Sequence, residues 1–291
     1  MELGMEMDPE CVPCLLGRVL FEANLCDPKK ARAAMADSLK ILDEGFRPGV
    51  NSARLATLVH KRAYKILGRA DPYEGLKARS VEVASELLPE AEAFIERSED
   101  RLEAAVKVAI AGNVMDFGIQ GLEDPDELSR AFGSLISQPL GVNDVPGMRA
   151  LLGPSKRAVY LLDNCGEDVL DRLLVREIKA LGATVVGVVK GEPVLTDVTL
   201  KDAKASGVHG EFDEVIGTGM FAVGLDPQRM GDRLRGELSR ADLIIAKGMA
   251  NFESLSDSAY RPIAYLMRAK CHPVARAVGA RKGDNVAKLV C

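Results

Sequence analysis

The stretch KRAVYLLDNCGEDVLDRLLVREIKAL, residues 156–181, decides the fold. Its apolar run from Ala158 to Leu162, bounded by Lys156 and Asp163, reads as a strand buried on both faces. Val169, Leu170, Leu173, Leu174, Ile178 and Leu181 then recur at helical spacing. Asp163 and Asn164 therefore stand at the C-terminal end of a strand, ahead of a helix. Open α/β sheets keep their ligand crevice at that end, and the free N–H groups of the following helix favour an anion there. A phosphorylated ligand is the first expectation.

On the C-terminal side the same alternation continues. Strands are predicted at Thr184 to Val189, Glu214 to Ile216, Leu243 to Ala246, Ile263 to Met267 and around Asn285 to Val290. Helices are predicted near Leu200 to Ala205 and Pro227 to Ser239, with a turn or helix near Pro273 to Val278. Strand–helix alternation with right-handed crossovers points to a Rossmann-like, three-layer α/β/α fold on a mostly parallel sheet. On the N-terminal side the pattern from Pro9 to about Arg97 is helical. Further helical stretches run near Ser52 to Leu67, Glu74 to Leu88 and Glu99 to Ala111, separated by Pro48-Gly49, Asp71-Pro72 and Pro89. Residues 121–154 are rich in turn formers, with a short helix near Glu127 to Phe132, and hold the domain junction. The expected division is a helical bundle or cap over 1–152 and a Rossmann-like metal-binding domain over 153–291.

The 291 residues suffice for one large or two ordinary domains, and 47% hydrophobic content is ample for a packed core. A net charge of −5, no long basic run, no Trp, five Tyr and eight Phe lack the footprint of a nucleic-acid binder. No apolar stretch approaches the roughly 20 residues that span a bilayer, and the first residues carry no basic or apolar leader region. A cytoplasmic protein acting on a small molecule is expected. The six cysteines are spread too widely for a small secreted disulfide framework. Cys11-Val-Pro-Cys14 lacks a second CxxC, so a zinc site or redox pair there stands beside the plainer reading of thiols packed near a helix start.

Three strand ends carry polar residues: Asp163-Asn164, then Lys190-Gly191 running into Thr196-Asp197, and Lys247-Gly248 running into Asn251. Two carboxylates and an amide carbonyl are hard oxygen donors suited to Mg²⁺, Mn²⁺ or similar cations, and Asp163, Asn164 and Asp197 fit that task. Lys247 is expected to hold a phosphate oxygen. Asp163 and Asp197 are also residues preferred at helix N-caps, which supplies each with a purely structural alternative. Gly112-Asn113-Val-Met-Asp116-Phe-Gly118 breaks a helix with two glycines around an amide and a carboxylate, and its alternative is a C-cap followed by an Asx-turn. Gly217-Thr218-Gly219 offers backbone N–H groups to an anion. There is no GxSxG, Walker lysine loop, HExxH or dinucleotide fingerprint.

In order, Cys11-Val-Pro-Cys14, Gly112-Asn113-Val-Met-Asp116, Asp163-Asn164-Cys-Gly-Glu167, Lys190-Gly191 with Thr196-Asp197, Lys247-Gly248 with Asn251, and Lys270-Cys271 resemble the DUF89 damage-control phosphatase family in its compact, CxxC-bearing prokaryotic form. The similarity runs over almost the whole chain. It implies metal-dependent hydrolysis of phosphate monoesters of small metabolites, with Mn, Mg, Co or Ni as cofactor. It also implies the metal triad Asp163, Asn164 and Asp197, with Asn113, Asp116 and Lys247 around the phosphate. Here Gly166 is followed directly by Glu167, a departure from the larger members' pattern. Asn251, Gly217 and Thr218 complete the expected substrate contacts, and either Asp116 or Glu167 handles the water or the leaving oxygen. An Asp163 phosphoenzyme, a non-catalytic nucleotide or sugar-phosphate binder, and a thiol redox protein are the competing readings.

Overall fold

The computed structural model describes residues 5–115 and 126–291. Five helices come first: α1 (Cys11–Cys26), α2 (Ala31–Gly45), α3 (Ser52–Leu67), α4 (Glu74–Arg97) and α5 (Arg101–Ala111). They are followed by α6 (Asp126–Ser137), β1 (Leu140–Asn143) and α7 (Val145–Ala150). Alternation then sets in with β2 (Arg157–Leu161), α8 (Glu167–Ala180), β3 (Thr184–Val189), α9 (Leu200–Ala205) and β4 (Glu214–Gly217). It ends with α10 (Asp232–Arg240), β5 (Leu243–Lys247), α11 (Gly248–Leu255), β6 (Ile263–Arg268), α12 (His272–Val278) and β7 (Asn285–Val290).

The seven strands form one sheet in the order β1-β7-β6-β5-β2-β3-β4. Strands β2 to β6 pair in parallel, β7 runs antiparallel to β6, and β1 is parallel to β7. Side-chain alternation along each strand sends two sets of apolar residues to opposite faces. Ala158 and Tyr160 of β2 and Ile245 of β5 join a core with α4, α5, α6 and α8, while Val159, Leu161 and Ile244 pack against α10, α11 and α12. A third cluster joins α1, α2 and α3 to Val194, Leu195, Phe221 and Val223, in the connections that leave β3 and β4. Helices α4 and α5 thus belong to one face of the sheet, and α1–α3 sit over its loops. Among the described residues no helix is long and apolar enough to cross a membrane.

Three local expectations are corrected. Leu140–Asn143, inside the stretch read as turns, is a strand that pairs with β7. Its four residues are too few to show alternation against the surrounding Gly and Pro. Helix α11 follows β5 without a linker, because Gly248 at φ 74 turns the chain abruptly. Pro89 does not end its helix: α4 runs through it to Arg97. Burial of Val83, Ala84, Leu87, Ala91 and Ile95 along one side of α4 outweighs the hydrogen bond that Pro89 cannot donate. Because Pro89 is exposed, Pro89→Ala is expected to stabilise the protein by about 1–3 kcal/mol in urea denaturation, the restored helix bond exceeding the lost rigidity of the unfolded chain.

Candidate active site

The strand order reverses between β2 and β5, since β3 lies on one side of β2 and β5 on the other. A crevice outside the carboxyl ends at such a switch point is the usual ligand site of open α/β sheets. Leu162 extends the pairing of β2 by donating its N–H to the Val188 carbonyl at 3.0 Å, and the chain then runs against the loop after β3. Val198 N–H donates to the Asp163 carbonyl and Cys165 N–H to that of Thr196, each at 2.8 Å, and Asn164 and Asp197 form an isolated antiparallel bridge. Two loops distant in sequence thereby bring Asp163, Asn164 and Asp197 together, all three nearly buried.

Neither aspartate is a helix cap. Gly166 holds the N-cap position of α8, and Thr199 caps α9 in a capping box with Asp202. The Lys190 ammonium lies 3.2 Å from Asp197 Oδ2 and donates to the Gly224 carbonyl, so this lysine is a buried partner of the site rather than a solvated strand end.

Asn113 closes the group from the helical side. Its Nδ2 donates to Asp163 Oδ2 at 3.1 Å and to Glu167 Oε2 at 3.0 Å, while its Oδ1 accepts from the Arg268 N–H at 3.3 Å. Asn164 Nδ2 donates to the same two oxygens, at 2.8 Å each, and Asn164 Oδ1 accepts from the Thr196 hydroxyl at 2.6 Å. Gly248 makes the close fit possible: a Cβ there would lie 1.8 Å from Asp163 Oδ2. Its positive φ and this contact each demand glycine.

Lys247 occupies a different place from the one expected. Its side chain is fully buried and donates to the Ala109 carbonyl at 3.1 Å, to Glu167 Oε1 at 2.6 Å and to Asp171 Oδ1 at 2.6 Å. These contacts use all three ammonium protons. Burial by itself lowers the pKa of Lys247, but the charges of Asp171 and Glu167 outweigh burial and hold it above the ordinary lysine value. Asp171, which accepts from Tyr160 Oη at 2.8 Å, is pushed up to about 6 by burial and by Glu167, with Lys247 opposing. Asp171 and Tyr160 escaped the sequence reading. The available signal was a carboxylate four residues after Glu167 on the face that carries Leu170, Leu174 and Ile178.

Other expected residues go elsewhere. Asn251 is buried and donates to the carbonyls of Lys247 at 2.8 Å and Leu162 at 3.3 Å, tying the ends of β5 and β2 together. The Thr218 hydroxyl accepts from the Gly191 N–H at 2.9 Å, and Gly217 is exposed at the end of β4, so this turn braces the loop after β3. Asp116 lies outside the described residues. Cys11 and Cys14 share the first turn of α1, and Arg276 of α12 reaches back to Asp8 at 2.7 Å and Glu10 at 3.6 Å. Burial pushes the Cys11 thiol up to about 12 and that of Cys271 up to about 11, the reverse of what thiol exchange requires. Among the described residues no three His, Cys, Asp or Glu side chains are grouped to hold a metal. Asp163, Asp197 and Asn164 offer two carboxylates and one amide carbonyl, the hard oxygen donors that a divalent cation of the Mg²⁺ or Mn²⁺ type takes.

Fold and site define an α/β protein with oxygen donors gathered at a sheet switch point. The damage-control phosphatase ARMT1-like domain matches residues 7–286. A damage-control phosphatase of Archaeoglobus fulgidus is 43% identical over 289 residues, covering 98% of this chain and 100% of the relative. One of Pyrococcus horikoshii is 30% identical, with 99% and 98% covered. The crystal structure of a DUF89 family protein from Pyrococcus horikoshii matches with a TM-score of 0.86 at 29% identity, over 98% of this chain and 99% of that one. The chain belongs to the ARMT1-like damage-control phosphatase family.

The position of Asn251 gives a direct test. Asn251→Ala removes the side-chain donor shared by two strand-end carbonyls and is expected to cost about 1–3 kcal/mol of stability in denaturant unfolding, with KM for a phosphate ester unchanged.

Proposed function

We propose that this phosphatase hydrolyses phosphate monoesters of small metabolites, damaged or side-product sugar phosphates and nucleotides among them, with a divalent cation held by Asp163, Asn164 and Asp197. The observation that supports the reading is the backbone pairing of the loops after β2 and β3, which sets Asp163 and Asn164 beside Asp197. Mg²⁺, Mn²⁺, Co²⁺ and Ni²⁺ are the candidate cations. Bound there, such an ion supplies polarisation of a phosphate oxygen and a more acidic water.

The protein's own groups divide the remaining work. Asn113 and Asn164 hold Asp163 Oδ2 in place by two N–H donors, so the carboxylate enters the reaction already oriented. Lys190 places positive charge beside Asp197. Glu167 has one oxygen on Lys247 and the other on Asn113 and Asn164. It therefore orients its neighbours, and the proton-handling task passes to Asp116, three residues beyond Asn113. An Asp163 phosphoenzyme receives no help from position 165, where Cys165 is buried and its thiol pKa is raised well above the ordinary value by burial and Asp168.

The test is phosphate release from sugar phosphates and a generic ester, before and after chelation and with each cation restored. Asp163→Ala and Asp197→Ala are expected to lose about 100-fold or more of the metal-stimulated rate. Full activity in either variant would remove that residue from the site, and a wild-type protein silent on every ester would favour a binding protein. A covalent adduct on Asp163, trapped with a phosphate analogue, would replace the cation-activated water.

A further inference from the structure

The buried polar groups behind the site form a continuous hydrogen-bonded chain: Tyr160, Asp171, Lys247, Glu167 and Asn164. Asp171 is the link that packing alone does not explain. Tyr160 Oη and Lys247 Nζ both donate to its Oδ1, whereas among the described residues its Oδ2 has no hydrogen-bond partner although the side chain is fully buried. A core position that keeps a carboxylate with one oxygen unserved bears a desolvation cost that a Leu would avoid. The cation that this charge meets, among the described residues, is Lys247.

Lys247 Nζ is held by three acceptors, the Ala109 carbonyl, Asp171 Oδ1 and Glu167 Oε1. This tripod sets where Glu167 Oε1 stands and so where Oε2 points. Oε2 accepts from Asn113 Nδ2, from Asn164 Nδ2 and, at 3.4 Å, from the Asn164 N–H. The amide oxygen and nitrogen of an asparagine are nearly the same size, so the neighbours decide which way round the group sits. With Nδ2 claimed by Glu167 and Asp163, Asn164 must turn its carbonyl Oδ1 toward Thr196, beside Asp197. A released amide would be free to present N–H groups on that side, where a cation needs an oxygen.

We propose that Asp171 is a positioning residue of the phosphatase centre: through the Lys247 ammonium it pins Glu167, which keeps the Asn164 carbonyl oxygen facing the cation. The proposal rests on the reading of Asn164 as a cation ligand. Tyr160 anchors Asp171 and shares the task at one remove. Lys247, expected at the phosphate, acts behind the site.

Mn²⁺ binding to the metal-free full-length protein, followed by calorimetry, tests this apart from catalysis. Asp171→Asn is expected to weaken Mn²⁺ binding about 10–100-fold, the range for groups that orient a metal ligand. Its kcat at limiting Mn²⁺ should fall while KM for the ester at saturating Mn²⁺ stays within about twofold. Tyr160→Phe, which keeps the ring and removes one anchor, should shift Mn²⁺ binding in the same direction by a smaller factor. It decides the matter if Asp171→Asn fails to fold. Wild-type Mn²⁺ affinity in a folded Asp171→Asn, or in Tyr160→Phe when that is the only folded variant, would overturn the proposal. Wild-type Mn²⁺ affinity in Asp163→Ala would overturn the cation site itself, and the role of Asp171 with it.

Discussion

A single ammonium group, that of Lys247, organises the interior of this protein. It emerges at the end of a central strand into the closed interior, fully buried, and its charge must be met there. Glu167 and Asp171, one turn apart on α8, and the last turn of α5 supply the acceptors. Strand β5, helix α8 and helix α5 are thereby fixed to one another by charge as well as by packing. Removing one partner of such a buried group typically costs about 3–5 kcal/mol, since it strands the remaining charge. The arrangement carries a net negative charge, and the surplus is spent at Glu167, where two asparagine amides take up the far oxygen.

From this anchor the polar site is built outward in layers. Asn113 and Asn164 each donate to both Glu167 and Asp163, so the carboxylate at the crevice is oriented by amides that are themselves oriented from behind. Gly248 permits the approach, and Asn251 stitches the two strand ends that flank the crevice. Preorganisation of this kind lets a site meet developing charge without rearranging at the moment of reaction.

The first three helices contribute from the outside. Tyr64 Oη accepts from the Leu195 N–H and Thr57 Oγ1 from the Val223 N–H, each at 2.9 Å. Val194, Leu195, Phe221 and Val223 are buried against the same helices. The loop that carries Thr196 and Asp197 is thus gripped by the helical cap on one side and by the loop after β2 on the other. Substitutions in α3 have a route to the site without touching a ligand.

Much of this was legible in the sequence because it is written in local periodicity. Thr184–Val189, Leu200–Ala205, Asn285–Val290 and Ser52–Leu67 have the bounds that their patterns predict, and most of the motifs behind the family resemblance stand at strand ends. Local pattern failed where a distant partner overrides it. Pro89 is carried through α4 by burial of the helix face, and Leu140–Asn143 becomes a strand because β7 offers it an edge. The same division holds at the site. Residue type alone marked Asp163, Asn164 and Asp197 as hard oxygen donors, since that chemistry belongs to the side chains themselves. Only the tertiary structure decided that Lys247 faces inward, that Glu167 has no oxygen to spare and that Asp171 stands behind both. The direction and the partners of a buried charge depend on contacts between residues 76–138 positions apart, and no local spacing encodes them.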